Sequence, residues 1–121
     1  MQLSSLNKTW ILDVDGTIVK HNGYLTDGYD SLLEGVNEFF KKIPNEDKII
    51  FLTARKEKNL DNLKEFLNRN NIRYDYLLPN MPTGERILIN DRKPSGLDMA
   101  YSFNKNRNEK LNIFYEINKN L

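Results

Sequence analysis

The chain has no cysteine in its 121 residues, which excludes a disulfide framework and thiolate chemistry and suits a reducing compartment. It has no apolar run of membrane-spanning length, and residues 1–8 lack the apolar core of a secretory leader. Excess charge of either sign is missing too. With 18 Lys+Arg against 17 Asp+Glu the net charge is +1, so no overall field recommends nucleic acid or an anionic membrane as a partner. There are no internal repeats, low-complexity tracts or linkers. The expectation is a soluble, cytoplasmic, single domain over residues 1–121, long enough to bury roughly two-thirds of its unfolded surface.

What is there centres on Trp10-Ile11-Leu12-Asp13-Val14-Asp15-Gly16-Thr17. An apolar run of this kind reads as a strand buried on both faces, with acid chemistry at its carboxyl end. Side chains two apart on a strand point the same way, so Asp13 and Asp15 are expected to lean into one crevice. Two carboxylates that close repel unless a cation or a proton joins them.

After this strand, Asn22-Gly23 between apolar flanks predicts a tight hairpin over residues 18–25, a small flap beside the carboxylates. Leu32, Leu33, Val36, Phe39, Phe40 and Ile43 recur at helical spacing, with Ser31 and Glu34 as a capping box and Pro44 just beyond. Lys48 to Leu52 predicts a second buried strand closed by Thr53-Ala54-Arg55. A helix with Leu60, Leu63, Phe66 and Leu67 on one face follows, Glu65 placed to pair with Arg69. Tyr74 to Leu78, Arg86 to Ile89 and Met99 to Phe103 are the remaining expected strands, the last at an edge. Residues 104–110 read as a polar, solvated connection. The tail fits a helix through Leu111, Phe114, Ile117 and Leu121 and a strand through Leu111, Ile113, Tyr115 and Ile117; the reading leans to helix. The alternating β-α-β-α order implies a parallel sheet.

Three of these strands end in chemically able residues: Asp13 and Asp15, then Thr53, then Asn90, Asp91 and Lys93. In a parallel sheet such ends lie at one edge. Two carboxylates with an oxygen donor suit Mg²⁺, which keeps waters and phosphate oxygens as its other ligands. Thr53 stands where strand becomes helix, and its hydroxyl and the free amides of that first turn make a phosphate seat, a reading compatible with a simple capping role. The set suits phosphoryl transfer. A calcium loop is disfavoured, because Gly16 follows Asp15 and alternating oxygen ligands are absent. His21, in the flap, reads as a surface residue. Arg55 and Arg92 read equally as solvated or acid-paired and as substrate contacts.

The order Asp13-Val14-Asp15-Gly16-Thr17, then a strand ending in Thr53, then a strand ending in Asn90-Asp91, resembles the haloacid dehalogenase-like hydrolase superfamily over about residues 8–103. The resemblance implies a three-layer Rossmann-like α/β core, a parallel sheet flanked by helices. It implies Asp13 as the nucleophile that forms an aspartyl-phosphate and Asp15 as the group that protonates the leaving group and then activates water. Gly16, Thr53, Ala54 and Arg55 are the expected substrate-binding residues. Asp91, with Asn90 beside it, would hold Mg²⁺ together with the Asp13 carboxylate and the main-chain carbonyl of Asp15.

Many relatives carry two acids where this chain has Asn90-Asp91, so its site has one fewer negative charge. The usual lysine position falls at Met81; Lys93 is the expected replacement as a catalytic residue, with Lys56 and Arg86 behind it. Residues 18–29 are too few for a cap domain, which implies a capless member. The stretch from Gly84 to Gly96 further resembles small bacterial phosphatases of capsular polysaccharide and surface-sugar biosynthesis. Three functions compete: a Mg²⁺-dependent phosphatase of a small phosphorylated metabolite, a metal-dependent transferase using Asp13 and Asp15 only for metal, and a catalytically impaired phosphate-binding module or subunit. No nucleic-acid or membrane partner is expected, and a homo-oligomer is left open.

Overall fold

In chain order, the computed structural model, which describes residues 1–121, contains β1 (Gln2–Leu3), β2 (Thr9–Asp13), α1 (Gly23–Thr26), α2 (Val36–Lys41), β3 (Lys48–Leu52), a 3₁₀ turn over Glu57–Asn59, α3 (Leu60–Arg69), β4 (Tyr76–Leu78) and β5 (Glu116–Ile117). The β-branched and aromatic runs Thr9–Asp13 and Lys48–Leu52 pair in parallel, from Thr9 opposite Lys48 to Asp13 opposite Leu52. β4 adds in parallel on the far side of β3, so the sheet order is β2-β3-β4. The result is a small α/β fold of parallel strands flanked by helices.

The core is a cluster of 15 buried apolar side chains. Ile49 and Phe51 alternate inward along β3, and α3 lays Leu60, Leu63, Phe66 and Leu67 against them as its spacing predicts. At the amino edge of the sheet the buried Asp47 carboxylate accepts the Lys8 amide (3.0 Å) and Trp10 Nε1 (2.9 Å), tying the entry of β2 to that of β3. These paired acceptor sites offset the cost of burying the acid.

Several expectations are corrected. β2 is not buried on both faces: it is an edge strand, and Ile11 is 47% exposed. No hairpin forms at Asn22-Gly23. Asn22 adopts a left-handed φ of 55° and opens the single helical turn α1, while Val19 bridges antiparallel to Leu32, two residues not joined by a tight turn. That bridge also delays the next helix. The Ser31/Glu34 capping box is absent, and α2 starts after Gly35 at φ 84°, where a Cβ would collide with the Leu111 carbonyl. The Glu65–Arg69 pair is likewise not formed.

The largest departures lie after β4. Residues 86–89 and 99–103 form no strand. Only Pro79–Glu85 separates Leu78 from Arg86, whereas a parallel crossover takes about a dozen residues or more. The tail is extended, not helical. Leu111 is buried, Ile113 packs against the core, and Tyr115 meets Trp10 at 5.3 Å between ring centroids, while Phe114 is 78% exposed. This period-two alternation ends in β5, which pairs in parallel with β1.

Phe51→Ala, at a fully buried ring that meets Phe40 and Tyr74, is expected to cost about 3–5 kcal/mol in denaturant unfolding. Leu25→Ala, at a 65% exposed side chain, should stay within about 0.5 kcal/mol of wild type.

Candidate functional site

At the carboxyl end of β2 the chain wraps around one carbonyl: Val14 O accepts the amides of Thr17 (3.2 Å), Ile18 (2.9 Å) and Val19 (3.2 Å). Gly16 makes the turn possible at φ 87°, a left-handed value costly for residues with a Cβ. The wrap presents Asp13 and Asp15 to one cleft of about 400 Å³, also lined by Tyr24, Arg55, Arg86 and Arg107.

The two acids sit in different company. Asp13 is partly exposed, its Oδ2 accepting the Thr17 hydroxyl (3.1 Å) and its Oδ1 accepting Arg86 Nη1 (3.3 Å). Asp15 is held on both oxygens. Arg55 donates to it from Nε (3.1 and 3.2 Å) and Nη2 (2.7 Å), and the Thr53 hydroxyl donates at 3.2 Å. The other side of the Arg55 fork closes on Asp30 at 3.1 and 2.6 Å, and its Cζ lies 3.8 Å from the Tyr24 ring centroid. Burial opposes charge on Arg55, but the hydrogen bonds to Asp30 and then Asp15 outweigh it and push the guanidinium further above the ordinary arginine range. A raised folded-state value means that the stabilisation is in full force at any pH below the ordinary arginine value and fades only as pH rises through the folded one.

No protein-family model, curated protein or solved structure matches the chain. The structure brings Asp13, Asp15, Gly16, Thr53, Ala54 and Arg55 together at the carboxyl edge of β2 and β3. Thr53 is wholly buried, and its hydroxyl accepts the Arg55 amide (3.1 Å) while donating to Asp15, so it positions the acid and does not face the cleft. Helical structure resumes only at Glu57, which separates the expected amide seat from Thr53.

Asn90, Asp91 and Lys93 stand apart from Asp13, on an exposed segment. Asn90 and Arg92 border a separate hollow, and Lys93 closes a turn with Leu97 and Gly96. No three acidic or histidine side chains gather in a position to hold a metal ion. Of the residues that the resemblance assigns to Mg²⁺, Asp13 and Asp15 line the cleft and Asp91 does not. Of the basic candidates, Arg86 is the one on Asp13; Lys56 and Lys93 do not line the cleft.

Residues that sequence reasoning passed over complete the setting. Asp30 and Tyr24 carried no motif, because their partner Arg55 is remote in the chain. The connection over residues 104–110 is solvated as expected, and it also bonds the Gly16 turn: Asn108 donates its amide to Gly16 O (2.9 Å) and accepts the His21 amide on Oδ1 (2.7 Å), and Lys105 Nζ reaches Gly16 O at 3.2 Å. Burial, opposed by Glu109, pushes the Lys105 amine below its usual range. His21 is a cleft residue with a buried, unpaired Nδ1, not a free surface group.

Arg55→Ala leaves Asp30, whose side chain is 2% exposed, without its cation; a loss of about 3–5 kcal/mol in unfolding free energy is expected. Arg55→Lys should recover only a minor part, since an ammonium cannot fork onto two carboxylates.

Proposed function

We propose that the chain is a capless, haloacid dehalogenase-like phosphomonoester hydrolase with a three-layer Rossmann-like core. Its substrate class is a small phosphorylated metabolite, such as a sugar phosphate or surface-polysaccharide precursor, and its setting is cytoplasmic. The observation that carries the reading is Asp13: a partly exposed carboxylate at a strand's carboxyl end, oriented by Thr17, in an open cleft whose other charges include Arg86 and Arg107. The capless reading is supported by residues 18–29, whose only helix is the single turn α1.

In this scheme an Asp13 oxygen attacks phosphorus and forms the aspartyl-phosphate as the ester P–O bond breaks. Asp15, which only accepts hydrogen bonds from Arg55 and Thr53, first takes a proton from solvent, gives it to the leaving oxygen, and later removes a proton from the water that hydrolyses the acyl phosphate. For either transfer Asp15 must exchange its Arg55 contact for the reacting group. Arg86 and Arg107 offset the phosphoryl charge, Arg86 leaving Asp13 for the phosphate oxygens. Mg²⁺ belongs to this reading through the family resemblance, and no step here is routed through it.

The saturation of Asp15 by Arg55 and Thr53 favours a second reading, a phosphate-binding module without turnover. The two separate by assay. With Mg²⁺ present, the hydrolase releases phosphate from members of a phosphate-ester panel, retains acid-stable label on Asp13, and loses more than about 10³-fold in turnover on Asp13→Asn. Arg86→Ala is expected to lower turnover about 10²-fold, the scale of a lost transition-state charge contact. Absence of release from every ester, with phosphate binding intact, selects the binding module.

A further inference from the structure

β2 has one open edge. Its ladder to β3 begins with the Lys48 amide on the Lys8 carbonyl (2.9 Å), so by alternation the main-chain groups of Thr9, Ile11 and Asp13 face outward. No loop or other strand bonds to them. The chain also carries one spare strand-like segment: Ile87, Leu88 and Ile89 are 83%, 52% and 90% exposed, and residues 84–92 make no backbone–backbone hydrogen bond. An open edge and an unpaired apolar strand are each liabilities that pairing removes.

The segment cannot lie parallel along β2 of its own chain. From Leu78 onward the backbone stays at the carboxyl edge: Asn80 and Met81 donate to the carbonyls of Arg55 and Thr53, Gly84 lines the cleft, and Arg86 is on Asp13. A parallel strand has to begin at the opposite, amino edge, and Pro79–Glu85 is too short for that crossover.

We propose that two copies of this chain exchange the segment, Ile87–Ile89 of each adding in parallel to the open β2 edge of the other. About a two-fold axis the two β2 strands run antiparallel, so the carboxyl edge of one copy, where Arg86 stands, lies beside the amino end of the other's β2. The exchanged strand therefore runs from one cleft toward the other and needs no release of Arg86. It delivers Asp91 and Lys93 to the carboxyl end of the partner's β2, beside the partner's Asp13. Asp91 of one copy then stands with Asp13 of the other, the two carboxylates that a single chain keeps apart, and each site is shared between two copies. The exchange stands on the open edge and the spare strand; the role of Asp91 and Lys93 rests on the phosphatase reading.

Light scattering on the intact protein tests the exchange. Wild type is expected at twice the mass of one chain, and Ile11→Lys and Ile89→Lys, both at side chains exposed in the single chain, as monomers with unchanged circular dichroism. A monomeric wild type, or a dimer that survives both substitutions, overturns it. Co-refolding Asp13→Asn with Asp91→Ala tests the shared site. Each variant alone is inactive, and the equal mixture recovers about one quarter of wild-type phosphate release, because half the dimers are mixed and each holds one whole site. Dimers that dissociate on lysine substitution but show no recovery keep the exchange and remove Asp91 from the partner's site. A wild type that dimerises yet hydrolyses no ester refutes the phosphatase reading alone.

Discussion

The carboxyl edge of this protein depends on one buried cation. The Arg55 side chain is 2% exposed, and a guanidinium that cannot lose its proton has to be paired wherever it is buried. Asp30 and Asp15 supply the pairing through both forks, and Tyr24 covers the face. Three separate stretches of chain, the turn after β2, the loop around α1 and the end of β3, are thereby fixed to one another. The cleft exists because these stretches cannot relax independently.

The same pairing makes the two aspartates unequal. Asp13 keeps one weak, exposed contact to Arg86 and one to Thr17, so it stays partly open to the cleft. Asp15 is embedded in a network that reaches Asp30, and its reaction with anything in the cleft has to compete with Arg55. The difference between the two acids comes from neighbours, since both are the same residue type. The Gly16 turn is held from behind by Lys105 and Asn108, so a segment late in the chain sets the shape of the earliest motif.

What the single chain leaves undone is as physical as what it builds. A parallel strand at an edge with outward amides, and an apolar triplet with no ladder, are two halves of one pairing that short connections keep apart. Placing the second half on another copy accounts for both, and for the separation of Asp91 from Asp13 within one chain.

Much of this was legible in the amino-acid order. The runs Thr9–Asp13 and Lys48–Leu52 and the Leu60–Leu67 face form where period and propensity indicate, because burial on one core rewards those patterns locally. Within Asp-Val-Asp-Gly-Thr, the turn at residue 16 is legible too, since only glycine turns there at low cost. Other features lay outside local pattern. Val19 pairs with Leu32 where a hairpin turn was expected, the tail follows the alternation that puts Tyr115 on Trp10, and 86–89 stays unpaired for want of connecting length. The sequence by itself determined β2, β3, β4, the helix α3 and the two acids. Only the tertiary structure decided which cation each acid meets and which strand edge stays open, because both depend on contacts between residues far apart in the chain.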